Sequence, residues 1–70
     1  MRAVIGELVE VVESPDVVCY GEVHPGFVGM IWGKRNSRGE IPVLFQYDHE
    51  TGYRWCIDYM RPNEIQEFNS

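Results

Sequence analysis

The sequence predicts an all-β chain: a small five-stranded barrel with one short helical turn before its last strand. Three observations carry this expectation. No window places apolar residues at helical spacing for three turns. Short runs rich in valine, isoleucine and aromatic residues recur, separated by stretches holding glycine, proline and asparagine. The chain has 70 residues, enough for one domain with a small core.

The first strand is expected in ELVEVVE, residues 7–13. Val9 and Val11 fall on one face; Leu8 and Val12 fall with Glu10 on the other. SPDVVCYGEVHPG, residues 14–26, holds two prolines and two glycines and reads as a long loop. FVGMIWG, residues 27–33, is a second strand, and Gly29 inside it signals a bulge or sharp bend. KRNSRGE, residues 34–40, is a polar turn with Asn36 and Gly39 suited to positive φ.

IPVLFQY, residues 41–47, is a third strand. Pro42 lacks an N–H, which places the start of this strand at an edge or a bulge. DHETG, residues 48–52, is a five-residue connection in which Asp48 and Gly52 are the turn-forming residues. YRWCIDY, residues 53–59, alternates: Tyr53, Trp55, Ile57 and Tyr59 against Arg54, Cys56 and Asp58. MRPNEI, residues 60–65, reads as one helical turn with Pro62 in its first position. IQEF, residues 65–68, supplies the last strand.

The expected core is Val9, Val11, Val28 or Ile31, Val43, Phe45, Trp55, Ile57 and Ile65. An open three-stranded meander with the N-terminal segment packed across it is the alternative. The order of a long first loop, a short second turn, a tight hairpin and one turn before the last strand resembles SH3-like barrels. The glycine-led VGMI, the following PVLFQY and the tail NEIQEF are similar to elements of the small barrel protein of photosystem I, over residues 7–68. That resemblance implies a fold and no function. Eukaryotic SH3 peptide binders share Tyr20 and the proline turn RPNEI, without the tyrosine that follows it there. Type II dihydrofolate reductases carry VQIY in a late strand, where this chain has RWCIDY, so their activity is not implied.

Charge narrows the function classes. The formal net charge is −5. Residues 1–23 and 48–70 are acidic, while Lys34, Arg35 and Arg38 make one basic tip. The overall sign argues against general nucleic-acid binding, which needs an excess of Lys and Arg. MRAVIGELVEVVE holds no long apolar run, so neither a signal peptide nor a membrane span is expected there, and a cytoplasmic location is the default. In a reducing compartment Cys19 and Cys56 are expected as thiols.

Several constellations carry candidate chemistry. Cys19, His24, His49 and Cys56 have the right donors for zinc, but Cys-x4-His and His-x6-Cys are not common knuckle spacings. Cys56 with His49 would make a thiolate–imidazole pair, yet no helix is expected to supply an oxyanion site. Asp48 with Glu50, or Asp58 with Glu64, are carboxylate pairs with no sizeable cleft to work in. No phosphate loop or GxSxG occurs. No catalytic residue, metal or cofactor is therefore assigned.

The aromatic set is the strongest signal. Tyr20, Phe27, Trp32, Tyr47, Tyr53, Trp55 and Tyr59 exceed what so small a core can bury. The expectation is a non-enzymatic module that binds a basic partner protein through Tyr20, Trp32, Tyr53 and Tyr59, steered by Glu13, Asp16 and Glu22. An acidic inhibitor that mimics nucleic acid, and a very small oligomeric enzyme with a site between copies, are the alternatives.

Overall fold

The computed structural model describes residues 3–13, 23–49 and 52–68, the side chains of 47–49 excepted. It is an antiparallel all-β structure of five strands: β1 (Leu8–Val11), β2 (Val28–Ile31), β3 (Ile41–His49), β4 (Gly52–Met60) and β5 (Ile65–Glu67). A single 3-10 turn, Pro62–Glu64, precedes β5, with Pro62 in its first turn as expected. The strands lie in the order β4-β3-β2-β1-β5, so the last strand returns beside the first.

Alternation in the central strands is set by their aliphatic residues. Val9 and Val11 of β1, Ile31 of β2, and Ile41, Val43 and Phe45 of β3 all point to one face and are buried. Val23, Met60 and Ile65 complete the cluster, with Ala3 and Phe27 packed against it. Phe45 is the one aromatic residue fully buried in this core among the described residues.

Gly29 does not make a bulge. It pairs with Val9 in an unbroken ladder, between Leu8–Met30 and Glu10–Val28. Its role is spatial: a Cβ there would meet Phe45 Cδ1 at 2.8 Å and Val43 Cγ1 at 2.6 Å. The missing side chain lets the Phe45 ring lie against the sheet backbone.

Pro42 is also placed differently from the expectation. It lies in β3, which has β4 on one side and β2 on the other. It sits one residue beyond the last β2–β3 pair, Ile31–Val43, and having no N–H to donate back to β2 it ends that ladder. Its carbonyl still accepts from Trp32 N at 2.9 Å.

The turn after β2 is organised by one side chain. Asn36 Oδ1 accepts from the backbone N–H groups of Arg38 (2.9 Å) and Glu40 (3.0 Å), while its Nδ2 donates to Glu40 Oε1 (2.9 Å). Gly39 takes φ +77, as a turn of this shape requires.

The β3–β4 hairpin is longer and tighter than expected. Its ladder runs from Ile41–Met60 to His49–Gly52, leaving residues 50 and 51 as the connection in place of a five-residue loop. Gly52 has φ +124, the positive value expected of it. Tyr47 pairs with Arg54 in this ladder.

The hairpin register overturns part of the expected core. Trp55 is 61% exposed and Ile57 39%, while of the alternatives Val28 and Ile31 it is Ile31 that is buried. The inward residues of β4 are Cys56, Asp58 and Met60.

Candidate aromatic docking face

The face of the sheet opposite the core is apolar. Its central row crosses four strands: Leu8 pairs with Met30, Met30 with Leu44, and Leu44 with Ile57. Residues directly opposite in antiparallel strands lie side by side on one face. A second row holds Glu10 and Val28 on β1 and β2, and Gln46 and Trp55 on β3 and β4. Beyond the other side of the central row, Trp32 follows the end of β2, and Tyr59 pairs with Pro42.

These rows enclose an open groove of about 540 Å³, lined by Leu8, Val28, Met30, Trp32, Leu44 and Trp55 among others. That volume lies within the range of small-ligand sites, although the groove is shallow and open. Trp32, Tyr53, Trp55 and Tyr59 are 52–69% exposed. An aromatic side chain offers about 150–250 Å², so these four rings leave roughly 500 Å² to solvent. That already matches the largest apolar patch of a typical monomer, about 300–600 Å². Glu10 is the one charged residue on this face whose side chain is described.

Of the expected binding residues, Trp32, Tyr53 and Tyr59 lie on or at the rim of this face, and Glu13 is exposed just after β1. Tyr20, Asp16 and Glu22 lie outside the described residues. Sequence reasoning does not find Leu8, Val28, Met30 and Leu44 for this face, because single aliphatic residues on a strand look like core. The signal that finds them is the register, which brings three of them into one row with Ile57 and sets Val28 in the row beside it.

The polar interior has its own logic. Glu64 is 4% exposed, and its Oε1 accepts from Arg61 N at 2.7 Å. The Glu64 carbonyl accepts from Val12 N at 2.7 Å, fastening the 3-10 turn to the end of β1. Asp58, 5% exposed, lies two residues along β4 from Cys56, on the same inward face.

Cys56 is disulfide-bonded, which differs from the expected pair of thiols. The chain has one other cysteine, Cys19, which lies outside the described residues. A sulfur in a disulfide is neither a thiolate nucleophile nor a zinc ligand, so both chemistries considered for Cys56 lose their key atom. Among the described residues, no group of three or more His, Cys, Asp and Glu gathers as a metal site. No helix among them is long and apolar enough to cross a membrane.

Comparison with known proteins adds no relative: no family model, no curated protein and no solved structure matches the chain.

Proposed function

We propose that this chain is a non-catalytic protein-interaction module of the SH3-like barrel kind, and that its docking surface is the outer face of the sheet. The observation that carries the reading is the placement of its large side chains. Trp32, Tyr53, Trp55 and Tyr59 are exposed, Trp32 and Trp55 of them lining an apolar groove, while the core is built almost wholly from aliphatic residues. Tryptophan and tyrosine with a rigid backbone beneath them are favoured anchors of protein interfaces. The strand order and the 3-10 turn before β5 support the barrel assignment.

The net charge of −5 gives the approach its sign. The excess of acidic residues attracts a basic partner over a Debye length, and the aromatic face then holds it. Glu13, Asp16 and Glu22 are assigned this steering role, and Tyr20 is kept as a fourth aromatic contact.

The test is affinity capture with the parent chain and with Trp32→Ala/Trp55→Ala. The parent is expected to retain one specific protein through a high-salt wash, and the double variant to fold yet lose it. Retention by the folded double variant would refute the face. Capture abolished by modest salt in the parent would favour acidic mimicry of nucleic acid instead.

A further inference from the structure

The outer face of the sheet holds both a ridge and a hollow. The ridge is β4, where Trp55 and Tyr59 stand more than half exposed with Ile57 between them. The hollow, about 540 Å³, lies over β2. Val28 and Met30 of β2 line it, Leu8 of β1 and Leu44 of β3 flank it, and Trp32 and Trp55 wall it. The ridge and the hollow are two strands apart, with β3 between them.

A two-fold contact needs a patch that is its own complement, projecting where its twin recedes. This face meets that condition about an axis along β3, which lays β4 of each copy over β2 of the other. Trp55 shares its row with Val28, Ile57 shares one with Met30, and Tyr59 shares one with Trp32 through Pro42. About that axis Trp55 enters the other copy's hollow over Val28, Ile57 meets Met30, and Tyr59 meets Trp32. Leu44 meets its own counterpart at the axis. Sheets packed face to face run within about 30° of each other, so such rows stay in reach. Arg54, Cys56 and Asp58 alternate to the other side of β4 and take no part.

Charge selects this axis over its neighbour. Glu10, the one charged residue on the face whose side chain is described, lies on β1. An axis along β2 would carry it into the contact, over Gln46. The axis along β3 leaves it beyond the other copy's β4, in water, where a carboxylate costs nothing to keep. Area sets the strength. The rings of Trp32, Trp55 and Tyr59 leave on the order of 350 Å² per copy. Val28, Met30, Leu44 and Ile57 add on the order of 150 Å². Two copies together bury about 1,000 Å², the level a specific interface must clear, which makes a weak and reversible dimer.

We propose that two copies of this chain pack outer face to outer face about a two-fold axis along β3, each seating its β4 ridge in the other's hollow. This does not rest on the partner assigned above: a copy covers the face while no partner holds it.

Sedimentation of the full chain from low-micromolar to near-millimolar concentration, with no partner present, tests this. A reversible species of twice the 8.2 kDa chain mass is expected. Salt is expected to strengthen it, because each copy carries −5 and screening relieves that repulsion. Binding of a basic partner steered by the same charge would weaken instead. Trp55→Ala is expected to weaken the dimer about tenfold or more, as loss of a seated tryptophan does. Leu44→Lys sets two like charges on the axis and is expected to leave a monomer. Gln66→Lys makes the same change of charge on β5, in the row of Glu10 but outside the contact, and is expected to leave the dimer intact. Circular dichroism checks that each variant keeps the parent fold; should Leu44→Lys not, Trp55→Ala carries the test. A parent that is monomeric at every concentration overturns the proposal and leaves the face to a different protein. So does a dimer indifferent to Trp55→Ala, or one weakened by Gln66→Lys as much as by Leu44→Lys.

Discussion

Replacing Gly29 by alanine tests the packing that holds this sheet together. The added Cβ would lie 2.6 Å from Val43 Cγ1, 2.8 Å from the Leu44 carbonyl oxygen and 2.8 Å from Phe45 Cδ1. Carbon atoms attract best near about 3.5–4.0 Å, so each contact is deep in the repulsive range. None of the three is the free end of a flexible side chain. Val43 and Phe45 are fully buried in the core, and the Leu44 oxygen belongs to the backbone of β3. Overpacking of this kind costs about 1–3 kcal/mol, occasionally more. Loss of unfolded-state freedom returns about 0.4–1 kcal/mol to the alanine variant. With backbone involved, the cost is taken at or above the top of that range, about 3–4 kcal/mol, which leaves a net loss of about 2–3 kcal/mol against roughly 4–10 kcal/mol for a domain of this length. Thermal midpoints of such domains move about 4–8 °C per kcal/mol, so a fall of about 8–24 °C is expected by circular dichroism. Phe45→Leu in the same background, which shortens the side chain over Gly29, is expected to recover part of it. An alanine variant within about 1 kcal/mol of the parent by urea titration would refute the account of Phe45 lying on Gly29.

Three further outcomes follow from the structure. Trp55→Ala is expected to change stability by less than about 1 kcal/mol, since a core tryptophan would cost about 3–5 kcal/mol; urea unfolding separates the two values and so tests which face Trp55 occupies. Glu64→Ala removes the acceptor that caps the 3-10 turn at Arg61 N, for an expected loss of about 0.5–2 kcal/mol, whereas Glu64→Gln, which keeps an acceptor oxygen, is expected to lose less in the same titration. Thiol counting in denaturant is expected to find no reactive cysteine before reduction and both Cys19 and Cys56 after it, and reduction is expected to cost about 2–4 kcal/mol of stability; a reactive thiol in the unreduced protein would contradict the disulfide at Cys56.

The strands, the 3-10 turn and most of the core were legible in the sequence because they depend on local signals. Val9, Val11, Ile31, Val43, Phe45 and Ile65 are buried as their alternation predicts. Pro62 starts the turn, and Gly52 takes positive φ. Other features depend on neighbours that a linear reading does not see. Gly29 reads as a bend, yet its lack of a side chain serves Phe45 sixteen residues later in the chain. Ile41 and Met60 pair with each other at the open end of the hairpin and are both fully buried, which neither residue signals alone. Asp58 and Glu64 look like surface acids; Glu64 is inside because a backbone N–H waits there for its carboxylate.

The inversion of the aromatic residues has a single cause, the parity of the β3–β4 hairpin. Strand side chains alternate, so shifting a register by one residue exchanges the two faces of one strand relative to the other. A five-residue connection over 48–52 would set Tyr47 opposite Tyr53. Phe45 would then face Trp55, Val43 would face Ile57, and the aromatic set would join the core. The structure closes instead on His49–Gly52, with two residues between. That places Phe45 opposite Cys56 and Val43 opposite Asp58, and sends Tyr53, Trp55, Ile57 and Tyr59 outward. Two-residue connections are the commonest in hairpins, and a glycine at positive φ beside one suits its twist. The turn therefore decides more than the shape of the hairpin. It decides whether about 500 Å² of aromatic surface stabilises this chain or is left to meet another. At about 25 cal/mol per Å², that surface represents on the order of 12 kcal/mol not used in folding. A quantity of that size is comparable to the cost of association, about 4–15 kcal/mol, which is why the outer face, and not the reactive-looking groups of the hairpin, is where the function of this chain is to be sought.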